Sequence, residues 1–138
     1  MKQPFLVLFL IPLLFSMLAP QNIYGAEIIN EVFLLEKRDK LLAFSGVRNN
    51  WFEKELHSGE KVVESRHDGN VAVAYTSERA LAFSAITGRW TEERFRIRET
   101  IVSITAEGNV ATVITNIRAL GFSAKTGVWV GSQFNLGE

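Results

Sequence analysis

Three tryptophans, Trp51, Trp90 and Trp129, stand at one fixed interval, since 90 − 51 = 39 and 129 − 90 = 39. An indole is a large apolar face with one polar handle, and such faces stack on sugar rings. The three positions are therefore a candidate carbohydrate platform. The competing role is packing between units, because a residue present in every unit is one that the architecture itself needs. Arg79 and Arg118 keep the same interval, with Lys40 in the first copy, and Glu60, Glu99 and Glu138 form a matching acidic series. The two arginines join the tryptophans as candidate ligand-binding residues. An Arg–Glu pair between units is their other reading, and an exposed pair contributes only about 0–1 kcal/mol.

The remaining groups argue against catalysis. Ser45, Ser84 and Ser123 recur with the tryptophans. No histidine or carboxylate recurs beside them at the spacing of an activating base, so their expected role is to cap a strand end. His57 and His67 occur in the first copy only, where the second copy carries Arg96 and Ala106. The chain has no cysteine, which excludes disulfides and thiolate metal sites. It contains no glycine-rich phosphate loop, EF-hand loop or His-Glu-x-x-His motif. Neither an enzyme, nor a resident metal, nor a cofactor is expected.

The elements that must position these residues are themselves periodic. Phe44, Phe83 and Phe122 share the interval, and three units run 31–69, 70–108 and 109–138. The second and third agree at half of their aligned positions. Such a period marks a repeat architecture. In the second unit, Val71–Tyr75 reads as a strand apolar enough to be buried on both faces. A polar turn at Thr76–Arg79 and a second strand, Ala80–Ser84, follow. Thr87-Gly88 is a tight turn that uses the freedom of glycine at positive φ, and Asn49 tolerates that region in the first copy. Trp90–Ile97 reads as a third strand and Thr100–Thr105 as a fourth. The third strand would align Arg94 and Arg96 on one face. Four strands in 39 residues leave no room for a helix of ordinary length.

The run Ala80-Leu81-Ala82-Phe83-Ser84, followed by Thr87-Gly88 and Trp90, resembles the strand–turn–strand core of kelch and quinoprotein-type β-propeller repeats. The resemblance covers all three units. It implies four-stranded blades and says nothing of activity. The kelch double glycine and the WD dipeptide are absent, so no specific family is assigned. The expected fold is all-β, a three-blade, propeller-like array. A β-trefoil is the alternative, because it too has three units of about 40 residues. Closed propellers have about 4–8 blades, so three blades leave open ends that invite pairing. Self-association is expected, with two copies forming a six-blade ring and Glu27–Leu35 adding the strand that the third unit lacks.

Composition bounds the partners. The chain is 47% hydrophobic and 22% charged, which is the composition of a folded globular protein. Acidic and basic residues balance at 15 each, leaving no net field to attract nucleic acid. Phe5–Leu18 is an apolar run after Lys2, too short to span a bilayer, with small residues at Gly25 and Ala26. This is the pattern of a secretory signal. Residues 1–26 are read as the signal and 27–138 as the β-repeat domain, exported to the periplasm or medium without a stable membrane span. The expected function is that of a non-catalytic interaction scaffold, binding another protein or itself. The alternative is a lectin-like module using the repeated tryptophans.

Overall fold

The structure, a computed structural model, describes residues 30–135. The signal segment, its cleavage site and residues 27–29 of the segment expected to add a strand lie outside this range. The described chain is all-β. It forms β1 (Val32–Glu36), β2 (Lys40–Ser45), β3 (Asn50–Glu55), β4 (Val62–Asp68), β5 (Val71–Thr76), β6 (Arg79–Ser84), β7 (Arg89–Arg94), β8 (Ile101–Glu107), β9 (Val110–Thr115), β10 (Arg118–Ser123) and β11 (Val128–Gln133). Among the described residues no helix is long and apolar enough to cross a membrane.

The strands form three antiparallel sheets in the orders β1-β2-β3, β4-β5-β6-β7 and β8-β9-β10-β11. The sheets are therefore offset by one strand from the repeat read in the sequence. The fourth strand of the second unit, β8, pairs with β9 of the third unit and not with β7. Val32–Leu35 likewise belongs to the first sheet, where Phe33 lies opposite Phe44, and does not complete the third unit. The third strand of the second unit ends at Arg94. Arg96 and Ile97 lie beyond it, Ile97 is 94% exposed, and Arg98 turns the chain at φ 62. The turn chemistry is as expected: Asn49, Gly88 and Gly127 adopt φ of 52, 67 and 70.

Alternation along each strand gives every sheet two different faces. One carries Phe and Trp. In the middle sheet this face presents Ala72, Leu81, Phe83 and Trp90 to Val32, Ala43 and Leu41 of the first sheet. The other face is built of Val and Ala. There Val71, Val73, Ala80 and Ala82 meet Ala111, Val113, Leu120 and Phe122 of the third sheet. The sheets thus stack face to face in one direction, Val/Ala face onto Phe/Trp face. Among the described residues only the middle sheet is covered on both sides, and every residue of β6 is buried.

Candidate functional site

Arg79 and Arg118 sit at the two junctions between sheets. Arg79 opens β6, and Glu60 lies in the loop that carries the chain from the first sheet to the second. The Arg79 Nε donates to Glu60 Oε1 at 2.9 Å and its Nη2 to Glu60 Oε2 at 2.9 Å, a bidentate pair. Arg79 also donates to the Glu92 carboxylate and to the Glu55 carbonyl. The third sheet repeats the device. Arg118 donates to Glu99 at 2.7 Å and 3.2 Å, to Glu93 at 2.7 Å and to the Arg94 carbonyl at 2.7 Å. The Arg–Glu pairing between units is as read from the sequence, but its setting differs: Glu60 and Arg79 are each only 3% exposed. The arginines spend their donors inside the stack.

Electrostatics follow from that geometry. Burial by itself would raise the Glu60 carboxyl. The Arg79 guanidinium, the His57 N–H and the Thr76 hydroxyl outweigh it, and the group is lowered from 4.5 to about 2. Burial opposes and Arg118 leads the lowering at Glu99. Glu92 is lowered chiefly by Lys54. The hydrogen bonds that Arg79 donates to Glu60 and Arg118 to Glu99 raise the two guanidinium groups.

The threonines Thr76 and Thr115 complete these junctions and went unread in the sequence. Each hydroxyl accepts the N–H of the arginine three residues on, at 3.3 Å and 3.0 Å. Thr76 Oγ1 also donates to Glu60 at 2.8 Å. Their signal was the Thr-x-x-Arg spacing, present in the second and third units and replaced by Lys37 and Lys40 in the first.

The tryptophans differ in surroundings although they share a register. Trp51, Trp90 and Trp129 lie opposite Phe44, Phe83 and Phe122 on neighbouring strands. Ring centroids in these pairs are 5.4, 5.3 and 5.3 Å apart. Trp90 is half-buried between the first and second sheets and donates Nε1–H to the Phe52 carbonyl at 3.1 Å. Trp129 is half-buried against the second sheet, and its Nε1 has no partner among the described residues. Trp51 is 47% exposed, with Phe33 edge-on at 6.2 Å. The structure does not bring the three indoles into one platform, since each stays on its own sheet.

The serines tie sheet to sheet. Ser45 Oγ accepts from Arg48 N at 3.0 Å, which caps the turn, and donates to the Ala85 carbonyl of the next sheet at 2.7 Å. Ser84 repeats both bonds, to Thr87 N and to the Ala124 carbonyl. An acceptor that is a backbone carbonyl 40 residues away leaves no side-chain signal in the sequence.

One metal-like constellation exists among the described residues. His57, Glu60 and Glu78 place their ligand atoms within 4.8 Å of one another. His57 Nδ1 lies 2.8 Å from Glu78 Oε2. Both Glu60 oxygens already accept from Arg79, so a cation there would compete with a guanidinium for the same carboxylate. Beside it, a cavity of about 390 Å³ opens between His57, Glu78, Arg94 and Arg96. A second cavity, of about 550 Å³, lies between the turns of the second and third sheets, with Arg48, Arg89, Thr87 and Thr91 on its wall.

Two surfaces remain, one at each end of the stack. On the first sheet the outward Phe/Trp face exposes Phe33 by 54% and Leu35 by 38%, beside Trp51. On the third sheet the outward Val/Ala face exposes Val110, Val128 and Val130 by 48%, 52% and 69%. A shallow apolar groove of about 240 Å³ runs across it over Gly121. No protein-family model matches the chain, and no curated protein matches it.

Proposed function

We propose that this chain is an exported, non-catalytic interaction scaffold, organised as a partial propeller of three blades. The observation that carries the reading is where the repeated side chains go. Arg79, Arg118 and their glutamates, Ser45, Ser84 and two of the three tryptophans are used between sheets, while the outer faces of the first and last sheets are apolar and exposed. Exposed apolar faces of this kind mark contact with another molecule. Propeller-like organisation is supported by the separation of the strands into three sheets packed face to face. It is also supported by the turns that meet along one edge, where Glu31 N donates to Gly69 O at 2.7 Å and Asn70 N to Gly108 O at 2.8 Å. A trefoil would instead close strands from all three units into one barrel.

The test places a photo-cross-linking amino acid at position 51 or 130 in the producing cell. Discrete protein adducts at both positions in the exported fraction, and none from a control at exposed Thr105, are expected. Adducts absent from both positions would remove the scaffold reading. The lectin-like alternative rests on Trp51, the one exposed indole. It predicts a saturable, sugar-dependent change in tryptophan fluorescence that is lost in Trp51→Ala.

A further inference from the structure

We infer that the two end faces of the stack are complementary halves of one interface. A second copy of this chain docks its first sheet onto the third sheet of the first copy, head to tail. The inference rests on the propeller-like, face-to-face stacking of the proposed function, because the same interface is already built twice inside the chain.

Each internal junction has one apolar seat and one polar tie. The ring of Phe83 enters a seat made by Val32 and Ala43 on the first sheet. The ring of Phe122 enters the equivalent seat, Val71 and Ala82, on the second. Adding the period once more gives Val110 and Gly121, the floor of the apolar groove on the third sheet. Its occupant in register is Phe44, which lies half-buried on the outward face of the first sheet beside exposed Trp51. Glycine in place of alanine deepens this seat by a methyl group.

The polar tie points the same way. Ser45 donates to the Ala85 carbonyl and Ser84 to the Ala124 carbonyl. Ser123 is the next donor in the series and makes no such bond among the described residues. The carbonyl in register on a second copy is that of Gly46, whose residue is exposed at the end of β2. The pairing is heterologous, since one face is Phe/Trp and the other Val/Ala. Two copies that each offer both faces close as a ring of six sheets, leaving neither face open.

Cysteine cross-linking tests this directly, because the chain carries no cysteine of its own. Between the second and third sheets a Cβ placed at Gly127 would lie 3.7 Å from Cβ of Thr87, close to the ~3.8 Å of a disulfide. The pair in register across the proposed interface is Thr126 of one copy and Asn49 of the other, both exposed. The double variant Thr87→Cys/Gly127→Cys is the internal control. It is expected to oxidise within one chain. An equimolar mixture of Thr126→Cys and Asn49→Cys, each in the full exported chain, is expected to give a covalent dimer on oxidation. Neither variant alone should do so. Light scattering of the unmodified protein at micromolar concentration should give twice the mass of one chain. Val130→Glu, on an exposed position, should give a folded monomer with unchanged circular dichroism.

The outcomes separate the two readings. A control that oxidises together with a monomeric protein, or with a mixture that stays uncross-linked, overturns the second-copy inference and leaves the stacking intact. Cross-linking by Thr126→Cys alone would show a like-to-like contact and overturn the head-to-tail arrangement. A control that keeps the circular dichroism of the unmodified protein and still fails to oxidise removes the stacking reading, and the inference with it.

Discussion

Phe83 and Phe44 occupy the same place in the repeat, each opposite its tryptophan and each on an inner strand of its sheet. Phe83 is fully enclosed, whereas Phe44 is half-buried on an outward face. The same contrast separates Trp90, bonded to a carbonyl of the neighbouring sheet, from Trp51, which is 47% exposed. Arg79 lies in a closed carboxylate cage, while its counterpart Lys40 is partly exposed and pairs with Glu53 at 3.2 Å. The residues of the repeat therefore decide which face a side chain points from. The neighbouring sheet decides whether that face is dry. A repeated position is structural in the middle of the array and becomes a contact surface at its end.

The largest effect that tests this contrast is expected at the enclosed ring. Phe83→Ala should cost about 3–5 kcal/mol, the usual range for a buried aromatic, and Phe44→Ala less than half of that in dilute protein. Chemical denaturation checks both, and equal losses would break the comparison. If copies stack as proposed, the gap should narrow as protein concentration rises, because Phe44 is then enclosed too.

The charged positions should show the same ordering. Removing Arg79 by Arg79→Ala leaves Glu60 buried without its partner and should cost about 3–5 kcal/mol. Lys40→Ala breaks an exposed pair and should cost about 0–1 kcal/mol. Comparable values from urea unfolding would mean that the first sheet is as closed as the second.

Acid should act through the same junctions. The folded Glu60 carboxyl titrates near 2 against an ordinary 4.5. A depressed folded value gives stability that is complete above the ordinary one and is lost as the pH falls toward the folded one. Unfolding free energy should therefore decline between pH 4.5 and about 2. In Glu60→Gln that decline should be shallower when melting is followed across the same window.

The smallest contrast lies in the serines. Ser84→Ala leaves the buried Ala124 carbonyl without its donor and should cost about 1–3 kcal/mol. Ser123→Ala should be close to neutral in a separated copy and should weaken association between copies. Denaturation of the Val130→Glu background separates these two contributions.

Much of this was legible in the chain because periodicity and alternation are local. The turn at Thr87-Gly88, the doubly buried strand at Val71 and the enclosed Phe83 followed from spacing and residue type. The Arg79–Glu60 pairing was visible as two series in phase. Its burial was not, because exposure depends on the loop from β3 to β4 folding over the arginine. The assignment of β8 to the third sheet was also hidden. A strand between two turns can pair on either side, and the repeat period is the same for both choices. The end of β7 at Arg94 was missed because Phe95 and Ile97 continue the apolar alternation into a loop, where Ile97 is 94% exposed.

Ladder pairing stops at the boundary of every sheet, and each sheet is a meander of consecutive strands. Such an array behaves as a short one-dimensional chain of units, each held by its own hairpins and by its immediate neighbours. In a separated copy, opening should then begin at the outer sheets and move inward, so that the amides of β5 and β6 exchange with solvent last. Within one copy the middle sheet is the natural nucleus, since among the described residues it gains from two neighbouring sheets. A spliced-in duplicate of 39 residues between the second and third sheets should lengthen the stack without disturbing either end, and should raise the protection of the centre.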